Sequence, residues 1–294
     1  MNDIDPLLTD DDIRQLRNCN ICPRECGVDR LHNRGVCGAD YRVEISSANL
    51  HYGEEPPISG FRGSGTIFLT HCNLSCIYCQ NYPISQMGVG KPITIQQLVD
   101  TILKLQRKNA HNINFVTPSH YAVQIRRAII IARENGLNIP IVYNTSGYDK
   151  PETLDSLDGL VEIFMPDLRY YESSSAEKYS GASNYAEISR KAVKKMHSIV
   201  GELTLNPDGI AEKGLLIRLL VLPENLSGTD NTLRWIAQNL GTNTYISLMS
   251  QYFPAHKANR FPPLNRRITK REYNKILNVL SELGFQRGYT QPIP

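Results

Sequence analysis

The sequence lacks any apolar run long enough to cross a lipid bilayer, which excludes a helical membrane span. Its first residues, MNDIDPLLTDDD, are acidic and lack the basic start and apolar stretch of a secretory signal peptide. The formal net charge of +3 is too small to indicate nucleic-acid binding by itself. We therefore expect a soluble, cytoplasmic protein that has neither a membrane nor a nucleic acid as its partner.

Cysteine is scarce, with 7 residues in a chain of 294, and every one belongs to one of two closely spaced groups. In a reducing compartment, cysteines at motif spacing favour metal ligands or catalytic thiols over disulfides. The chain is 41% hydrophobic, which is enough to form the core of one large domain, with or without a small appendage. No internal repeat or low-complexity segment is present.

Short apolar segments alternate with helical patterns from residue 66 onward. The predicted strands are residues 66–69, 113–116, 139–143, 160–165, 215–222 and 245–249. The predicted helices begin at Thr94, which forms a capping box with Gln97, and continue with residues 121–135, 176–200, 229–240 and 269–283. Residues 41–65 are so rich in glycine and proline that we expect no regular structure there. The alternation predicts an α/β fold, a partial (β/α)6 TIM-like barrel, because six strands are too few for a closed eight-stranded one.

The first predicted strand runs into the segment THCNLSCIYC, where Cys72, Cys76 and Cys79 have the spacing C-x3-C-x2-C. This loop follows the C-terminal end of a strand, where the sites of βα-barrel proteins lie. Thiolates suit iron–sulfur clusters or zinc. Three thiolates can bind three irons of a 4Fe–4S cluster and leave the fourth iron open to a substrate. The alternative is a zinc site completed by His71 or another residue.

This spacing, with the aromatic Tyr78 directly before the third cysteine, resembles the signature of the radical S-adenosylmethionine (SAM) superfamily. The resemblance implies that the open iron binds the amino and carboxylate groups of SAM. One electron, from a donor such as flavodoxin or ferredoxin, then cleaves SAM and yields a 5′-deoxyadenosyl radical that abstracts hydrogen from a substrate. Cys72, Cys76 and Cys79 are thus the expected catalytic cluster ligands, and Tyr78 is assigned to the cofactor site.

Further segments resemble homologues of the pyruvate formate-lyase activating enzyme. They are GEEPPISG (53–60), GSGTIF (63–68), CQNY (79–82), MPDLRY (165–170), IRLLVLP (217–223) and SLMSQY (247–252). This resemblance implies an oxidoreductase that activates a glycyl-radical-type protein. It also implies the fold of the radical SAM core.

Additional cofactor contacts are expected where the other predicted strands end. Radical SAM enzymes usually have a Gly-Gly-Glu-like segment after the second strand, and this chain has VTPSH instead. The amino group of SAM must then meet backbone carbonyls or the side chains of Thr117 and Ser119, although Ser119 could equally cap the following helix. After the third strand, Asn144 and Ser146 could contact the ribose or carboxylate of SAM, or they could belong to an ordinary loop.

Two charged residues complete the expected cofactor site. Asp167 ends the fourth strand and could face the substrate or pair with Arg169 or Arg218. Arg218 interrupts an apolar strand, and because side chains alternate between faces, we expect it to point into the cavity. The resemblance implies that it binds SAM, and the alternative is a structural ion pair. Three histidines are expected to be structural rather than catalytic: His71, His120 and His256.

The N-terminal cysteines form a second pattern, C-x2-C-x3-C-x10-C, from Cys19, Cys22, Cys26 and Cys37. Four thiolates can complete a tetrahedral zinc site or bind a whole 4Fe–4S cluster, and the spacing does not distinguish the two. We therefore expect a second metal site here. The predicted division is a cysteine-rich metal-binding segment over residues 1–50 and a radical SAM core with a C-terminal helix over residues 51–294.

Three functions remain open at this point. The first is hydrogen abstraction by a radical SAM enzyme that activates a glycyl-radical-type protein. The second is radical modification of a peptide, RNA or small metabolite, with the basic C-terminal stretch around Phe261 and Tyr273 binding an acidic partner. The third is a non-catalytic, cysteine-rich zinc protein that binds partners.

Overall fold

A computed structural model describes residues 4–293. Its strands are β1 (Val43–His51), β2 (Ser64–Leu69), β3 (Lys91–Ile93), β4 (Ile113–Val116), β5 (Ile141–Thr145), β6 (Ile163–Pro166), β7 (Thr204–Leu205), β8 (Ala211–Leu220), β9 (Tyr245–Met249) and β10 (Gly288–Thr290). Its α-helices are α1 (Asp10–Arg17), α2 (Pro56–Ser59), α3 (Tyr82–Ser85), α4 (Ile95–Arg107), α5 (Ala122–Glu134), α6 (Pro151–Asp155), α7 (Ser173–Ser180), α8 (Tyr185–Val200), α9 (Thr229–Asn239) and α10 (Lys270–Glu282). Short 3-10 helices span Ser119–Tyr121, Pro223–Asn225 and Ala258–Arg260.

The strands form one open, mostly parallel sheet in the order β10-β9-β8-β6-β5-β4-β2-β1-β3, with β7 paired to β8. From β2 to β10 the neighbours on this path are parallel. Only β1, β3 and β7 run antiparallel to their partners in the part of the chain described. The six predicted strands correspond to β2, β4, β5, β6, β8 and β9, and the predicted partial barrel of α/β class is confirmed.

The parallel strands are covered on both faces, as their continuous apolar sequences predict. Every residue of β5, β6 and β9 is buried. Side chains on the outer face, such as Tyr143, Phe164 and Ile217, belong to the large core that also contains residues of α4, α5 and α8. The capping box at Thr94 is present, with the backbone N–H of Gln97 donating to its Oγ1 over 3.1 Å. Local patterns therefore place these elements correctly.

Residues 41–65 are not irregular, and this prediction is wrong. Val43–His51 forms β1, which pairs with β2. The turn-forming composition begins only at the end of β1, and the preceding VEISSANL is a strand sequence. Pro56 and Pro57 then start α2, because the first positions of a helix need no backbone N–H donor.

The helix predicted over residues 176–200 is also wrong in its extent. The structure has two helices there, α7 and α8, separated by residues 181–184. Gly181 ends α7 in the left-handed conformation with φ +65°, which glycine adopts readily as a helix C-cap. The apolar periodicity continues through this break and so concealed it.

Helix α2 closes the lower end of the barrel. Its Ile58 is fully buried and packs in a separate apolar cluster with Val142, Met165 and Leu216 on the inner face of the sheet. Because side chains alternate along strands, Arg218 lies on the same face as Leu216, one step closer to the C-terminal end of β8. The interior is therefore apolar next to α2 and polar above it.

The N-terminal segment packs against helix α5. Asp12 of α1 pairs with Arg126 of α5 over 2.7 Å, and the carbonyl of Leu7 accepts from Arg127 over 2.6 Å. Strand β1 then carries the chain into the sheet. The division at residue 50 stays a prediction. Among the helices in residues 4–293, none is long and apolar enough to cross a membrane.

Candidate active site

A cavity of about 790 Å³ lies at the C-terminal ends of the parallel strands. This is the usual position of a site in such a fold. All but one of the side chains predicted to form the catalytic and SAM site line this cavity: Cys72, Cys76, Tyr78, Cys79, Thr117, Asn144, Ser146, Asp167 and Arg218. Ser119 does not line it. The hydroxyl of Ser119 instead lies 3.0 Å from Oγ1 of Thr145.

The three cysteines lie in one loop between β2 and α3, called here the cysteine loop (residues 70–80). The end of α7 holds this loop, since backbone carbonyls of Ser180 and Tyr179 accept from the N–H groups of Ser75 (3.1 Å) and Ile77 (2.9 Å). The cysteines of this loop, Cys72, Cys76 and Cys79, face the cavity. A segment more than 100 residues away in the sequence fixes this conformation.

Each sulfur of the cysteine loop has a polar neighbour. The hydroxyl of Ser180 donates to Sγ of Cys76 over 2.9 Å, and Sγ of Cys72 accepts from the backbone N–H of Leu74 over 3.4 Å. Oγ of Ser85 lies 3.1 Å from Sγ of Cys79. Hydrogen bonds to cysteine sulfurs are one means by which proteins tune the potential of iron–sulfur clusters.

Burial raises the pKa of the Cys72 thiol to about 12, and the neighbouring Cys76 and Cys79 sulfurs add to this effect. Burial also raises the pKa of Cys76. Coordination by a metal ion deprotonates a thiol outright and so removes this obstacle. All seven cysteines are free of disulfides.

Tyr78 is buried beneath the cavity wall, with 3% of its surface exposed. Its ring meets those of Tyr170 and Tyr252 edge to face, with ring centroids 6.4 and 5.9 Å away. The aromatic position next to the third cysteine therefore anchors the cysteine loop in an apolar cluster.

Arg218 points into the cavity, as the alternation of faces predicts, and it makes several polar contacts there. Its Nε donates to Oδ1 of Asp167 over 2.8 Å, its Nη2 to Oδ1 of Asn144 over 2.6 Å and its Nη1 to Oε2 of Glu54 over 3.3 Å. Asp167 also accepts from Arg169 over 2.6 Å. Burial lowers the pKa of Arg218, but the carboxylates of Asp167, Glu55 and Glu54 outweigh this effect and raise it. The ion pair expected for Arg218 is thus present, and its binding of SAM stays a prediction.

Glu54 and Glu55 are site residues that the sequence analysis missed. They lie just before α2, with 9% and 6% of their side chains exposed, and both line the cavity. Ser247 donates to Oε1 of Glu55 over 3.0 Å, and Asn114 donates to Oε1 of Glu54 over 3.2 Å. The sequence did contain a signal for them, because two adjacent acids stand in a segment that is otherwise apolar and rich in turn-forming residues.

The loops after β4 and β5 supply the remaining predicted residues. Thr117 has a left-handed backbone (φ +62°), and its N–H donates to the carbonyl of Asn144 over 2.8 Å. The Oγ of Ser146 is buried at the cavity and has no hydrogen-bond partner in residues 4–293. Three thiols together with a buried hydroxyl that still needs a partner fit a cluster and a polar cofactor such as SAM.

The N-terminal cysteines lie in a segment that contacts the cysteine loop. Arg24 donates to the carbonyl of Asn73 over 2.7 Å, and Arg34 lies 3.2 Å from the ring of His71. Cys19 and Cys22 are buried. A Cβ added at Gly35 would lie 3.4 Å from Sγ of Cys37 and 3.6 Å from Sγ of Cys26, so these two sulfurs share one small space.

Arg30 is fully buried beside these cysteines. Its Nη1 lies 4.0 Å from Sγ of Cys19, and its Nε donates to the carbonyl of Asp40 over 3.1 Å. Its other acceptors are backbone carbonyls, and no carboxylate of residues 4–293 forms an ion pair with it. A buried guanidinium of this kind calls for a nearby negative charge.

The three histidines have structural surroundings. Nε2 of His71 lies 3.2 Å from Oε2 of Glu44. Nε2 of His120 lies 2.9 Å from the carbonyl of Thr70, and burial lowers the pKa of His120 to about 3. His256 stacks on the ring of Tyr82 at a centroid distance of 4.9 Å. Within residues 4–293, no three His, Cys, Asp or Glu side chains are grouped so as to bind a single metal ion.

Two curated proteins of Methanocaldococcus jannaschii, both uncharacterized, are similar to this chain. MJ0674 is 30% identical over 282 residues, which cover 93% of this chain and 77% of that protein. MJ0808 is 26% identical over 271 residues, which cover 83% and 73%. Neither name gives a substrate.

Two solved structures are similar to this chain, and the first of them shares its fold. Methylornithine synthase (PylB) superposes with a TM-score of 0.50 at 13% identity, covering 76% of this chain and 69% of that one. The FeFe-hydrogenase maturase HydG from Carboxydothermus hydrogenoformans gives a TM-score of 0.47 at 13% identity, and the match covers 76% of this chain and 52% of that one. This chain thus spans about half of that maturase.

The family itself is identified by a sequence match rather than by these superpositions. The Radical SAM superfamily matches residues 66–236, which include the cysteine loop and the strands β2 to β8. Most residues that line the cavity described above lie in this range, whereas Glu54 and Glu55 precede it and Met249 follows it. The chain therefore belongs to the Radical SAM superfamily.

Proposed function

We propose that this protein reductively cleaves SAM at a 4Fe–4S cluster bound by Cys72, Cys76 and Cys79, and that the 5′-deoxyadenosyl radical then abstracts hydrogen from a substrate. The observation that carries this proposal is that the three cysteines of one loop face the same cavity as the polar ends of β5, β6 and β8. Membership of the superfamily supports it. An electron donor such as flavodoxin or ferredoxin is needed as the reductant.

The polar residues of the cavity are proposed to bind and orient SAM. Each nitrogen of Arg218 already donates one hydrogen bond, so two of its five N–H groups remain for the cofactor. Arg218 also fixes Asp167 and Asn144 from below. Ser146 offers a hydroxyl without a partner among residues 4–293. Tyr78 and the loop of Thr117 form the adjoining walls.

For the substrate, we propose a glycyl-radical-type protein. The support is the resemblance of six segments, from GEEPPISG to SLMSQY, to homologues of the pyruvate formate-lyase activating enzyme. Several of these segments surround the cavity, including residues of 53–60, 79–82 and 165–170. A different substrate of the same radical chemistry, such as a peptide, RNA or small metabolite, is the competing proposal.

We also propose that Cys19, Cys22, Cys26 and Cys37 bind a second iron–sulfur cluster. The thiols are free, and the buried guanidinium of Arg30 would offset the negative charge of metal-bound thiolates. Sulfurs around one tetrahedral zinc ion lie only ~3.8 Å apart, given a Zn–S bond of ~2.3 Å. A cluster spreads its cysteines over separate irons. Four thiolates suffice to bind a complete 4Fe–4S cluster.

Anaerobic reconstitution followed by iron and sulfide analysis tests both proposals. The wild-type protein should contain about eight irons per chain, and 5′-deoxyadenosine should form with SAM and dithionite. Replacing the three loop cysteines by Ala should remove about four irons and all product. Ser75→Ala is the matched control, because Ser75 is an exposed residue of the same loop that has no thiol.

Two results would contradict these proposals separately. Product formation by the loop triple variant would refute the catalytic assignment of Cys72, Cys76 and Cys79. About four irons and one zinc per wild-type chain would refute the second cluster and leave the first in place. The substrate proposal needs its own test, which is the appearance of a glycyl radical signal in a candidate protein after incubation with enzyme, SAM and reductant.

A further inference from the structure

The floor of the cavity carries a pair of adjacent carboxylates, Glu54 and Glu55, that the proposed SAM chemistry does not use. Helix α2 closes the barrel through the buried Ile58 and places this pair just above the apolar cluster. The two side chains reach toward different strands, Glu54 to Asn114 on β4 and Glu55 to Ser247 on β9. The pair therefore spans the interior of the barrel.

Among residues 4–293, carboxyl groups outnumber guanidinium groups at this floor. Three carboxylates line the cavity, those of Glu54, Glu55 and Asp167, whereas only two guanidinium groups do, those of Arg169 and Arg218. Arg169 pairs with Asp167 alone, and Arg218 is shared among all three carboxylates. Burial raises the pKa of Glu54 to about 7, an effect that Arg218 counteracts and Glu55 reinforces.

Two buried acceptors in this region have no hydrogen-bond donor among residues 4–293. They are Oε2 of Glu55, which lines the cavity, and Oδ1 of Asn114, which lies on β4 behind the lining. Oε2 of Glu55 lies 3.9 Å from Nη1 of Arg218, which is beyond hydrogen-bond distance. Glu55 is 6% exposed and Asn114 is 0% exposed, so bulk water does not replace the absent donor. A surplus of carboxyl groups and the unused acceptor of Glu55 call for the same ligand, a cation rich in N–H groups.

We propose that the Glu54–Glu55 pair is a substrate subsite for a cationic nitrogen, an ammonium or guanidinium group. Such groups carry a positive charge, which suits the surplus of carboxyl groups, and they offer only hydrogen-bond donors, which suits the acceptor that has none. Asn114 donates to Oε1 of Glu54 and so holds this carboxylate in place. The subsite rests on the proposed function, because it faces the cavity in which hydrogen abstraction is proposed to occur. It narrows the substrate to an amine or to a protein that inserts a Lys or Arg side chain.

The test uses the cluster-loaded, reduced enzyme and small probes of equal length. Protons of 1-aminobutane should relax faster when the probe binds near the paramagnetic cluster, whereas 1-butanol should show no such effect. In Glu55→Gln, the affinity for 1-aminobutane should fall at least tenfold, while the hydrogen bond from Ser247 to the retained Oε1 favours folding. Glu54→Gln is the second variant. Glu212→Gln, an exposed acid on the same strand as Arg218, is the matched control and should bind the probe like the wild type.

Each result of these measurements either supports or overturns the proposed subsite. Equal relaxation by 1-aminobutane and 1-butanol, or unchanged amine affinity in both Gln variants, overturns the subsite. A tenfold loss of SAM affinity in Glu55→Gln also overturns it, because the pair would then bind the cofactor. If the amine binds through Glu55 but the wild type forms no 5′-deoxyadenosine, the proposed function fails and the subsite stands. A Gly-Lys-Gly peptide that outcompetes 1-aminobutane supports a protein side chain as the source of the cation, and the reverse supports a free amine.

Discussion

Arg218 is the residue whose replacement tests the architecture of the site most directly. Its guanidinium joins β8 to the end of β6 through Asp167, to β5 through Asn144 and to the segment before α2 through Glu54. Arg218→Met keeps the apolar length of the side chain and removes the charge. Arg218→Lys keeps the charge and removes the planar fork.

The magnitudes follow from these contacts. Removing one partner of a buried ion pair costs about 3–5 kcal/mol, and Arg218→Met leaves the neighbouring carboxylates without their shared cation. Arg218→Lys retains one or two of the contacts, so we expect a loss of about 1.5–3 kcal/mol, the worth of a charge-assisted hydrogen bond. At about 2 °C per kcal/mol for a chain of this size, the melting temperature should fall by about 6–10 °C for Met and about 3–6 °C for Lys.

The assay is thermal unfolding of anaerobically purified, cluster-loaded protein, monitored by circular dichroism. Arg234→Met is the matched control, because Arg234 is exposed on α9 and its replacement should change stability by no more than about 0.5 kcal/mol. A fall for Arg218→Met no larger than that of the control would refute the ion-pair network. Titration of SAM into folded Arg218→Lys should show an affinity about one to two decades lower. Unchanged affinity would restrict Arg218 to a structural role.

Three further outcomes are expected. Cys76→Ala should lose the loop cluster and all 5′-deoxyadenosine formation, as measured by iron content and product analysis, and turnover in this variant would refute its role as a ligand. Burial raises the pKa of Glu54 to about 7 from a usual value of 4.5, with Arg218 opposing the shift and Glu55 adding to it. The native state therefore binds a proton before the unfolded state does, and stability relative to Glu54→Gln should rise by about 1.4 kcal/mol as the pH falls from about 9 to about 6, measured by urea unfolding. A flat difference would contradict the raised pKa. Cys22→Ser should lose about four irons, expose residues 1–50 to limited proteolysis and leave the loop cluster in place.

The parts of this protein that local patterns determine could be predicted from the sequence. A parallel strand covered on both faces needs a short continuous apolar segment, so β2, β4, β5, β6, β8 and β9 were visible as such. Because side chains alternate between the two faces of a strand, the sequence also predicted that Arg218 points inward, and in the structure it does. The three cysteines stood out because their spacing is a property of a single loop.

Features that depend on distant parts of the chain could not be predicted in this way. Strand β10 has only three residues, and it exists because Gly288–Thr290 pairs with β9. Glu54 and Glu55 belong to the site because the fold brings them next to Arg218. This residue lies 164 positions after Glu54 in the sequence. Their sequence context of glycine and proline indicates a turn and does not show that the turn enters the barrel. Gly181 likewise ends α7 within an apolar period that continues past it.

The same long-range dependence explains how a short cysteine motif becomes a site. The cysteine loop contains the thiols, but its conformation is fixed from two sides. Ser180 at the end of α7 donates to Sγ of Cys76, and Arg24 of the N-terminal segment donates to the carbonyl of Asn73 over 2.7 Å and to that of Gly181 over 2.6 Å. Arg24 therefore binds the loop and the helix that supports it at once. Because Arg24 lies between Cys22 and Cys26, ordering of the N-terminal cysteines by a metal would hold Arg24 in place. The two cysteine groups are thus joined through Arg24, and disorder in the first would leave the loop with its support from the end of α7.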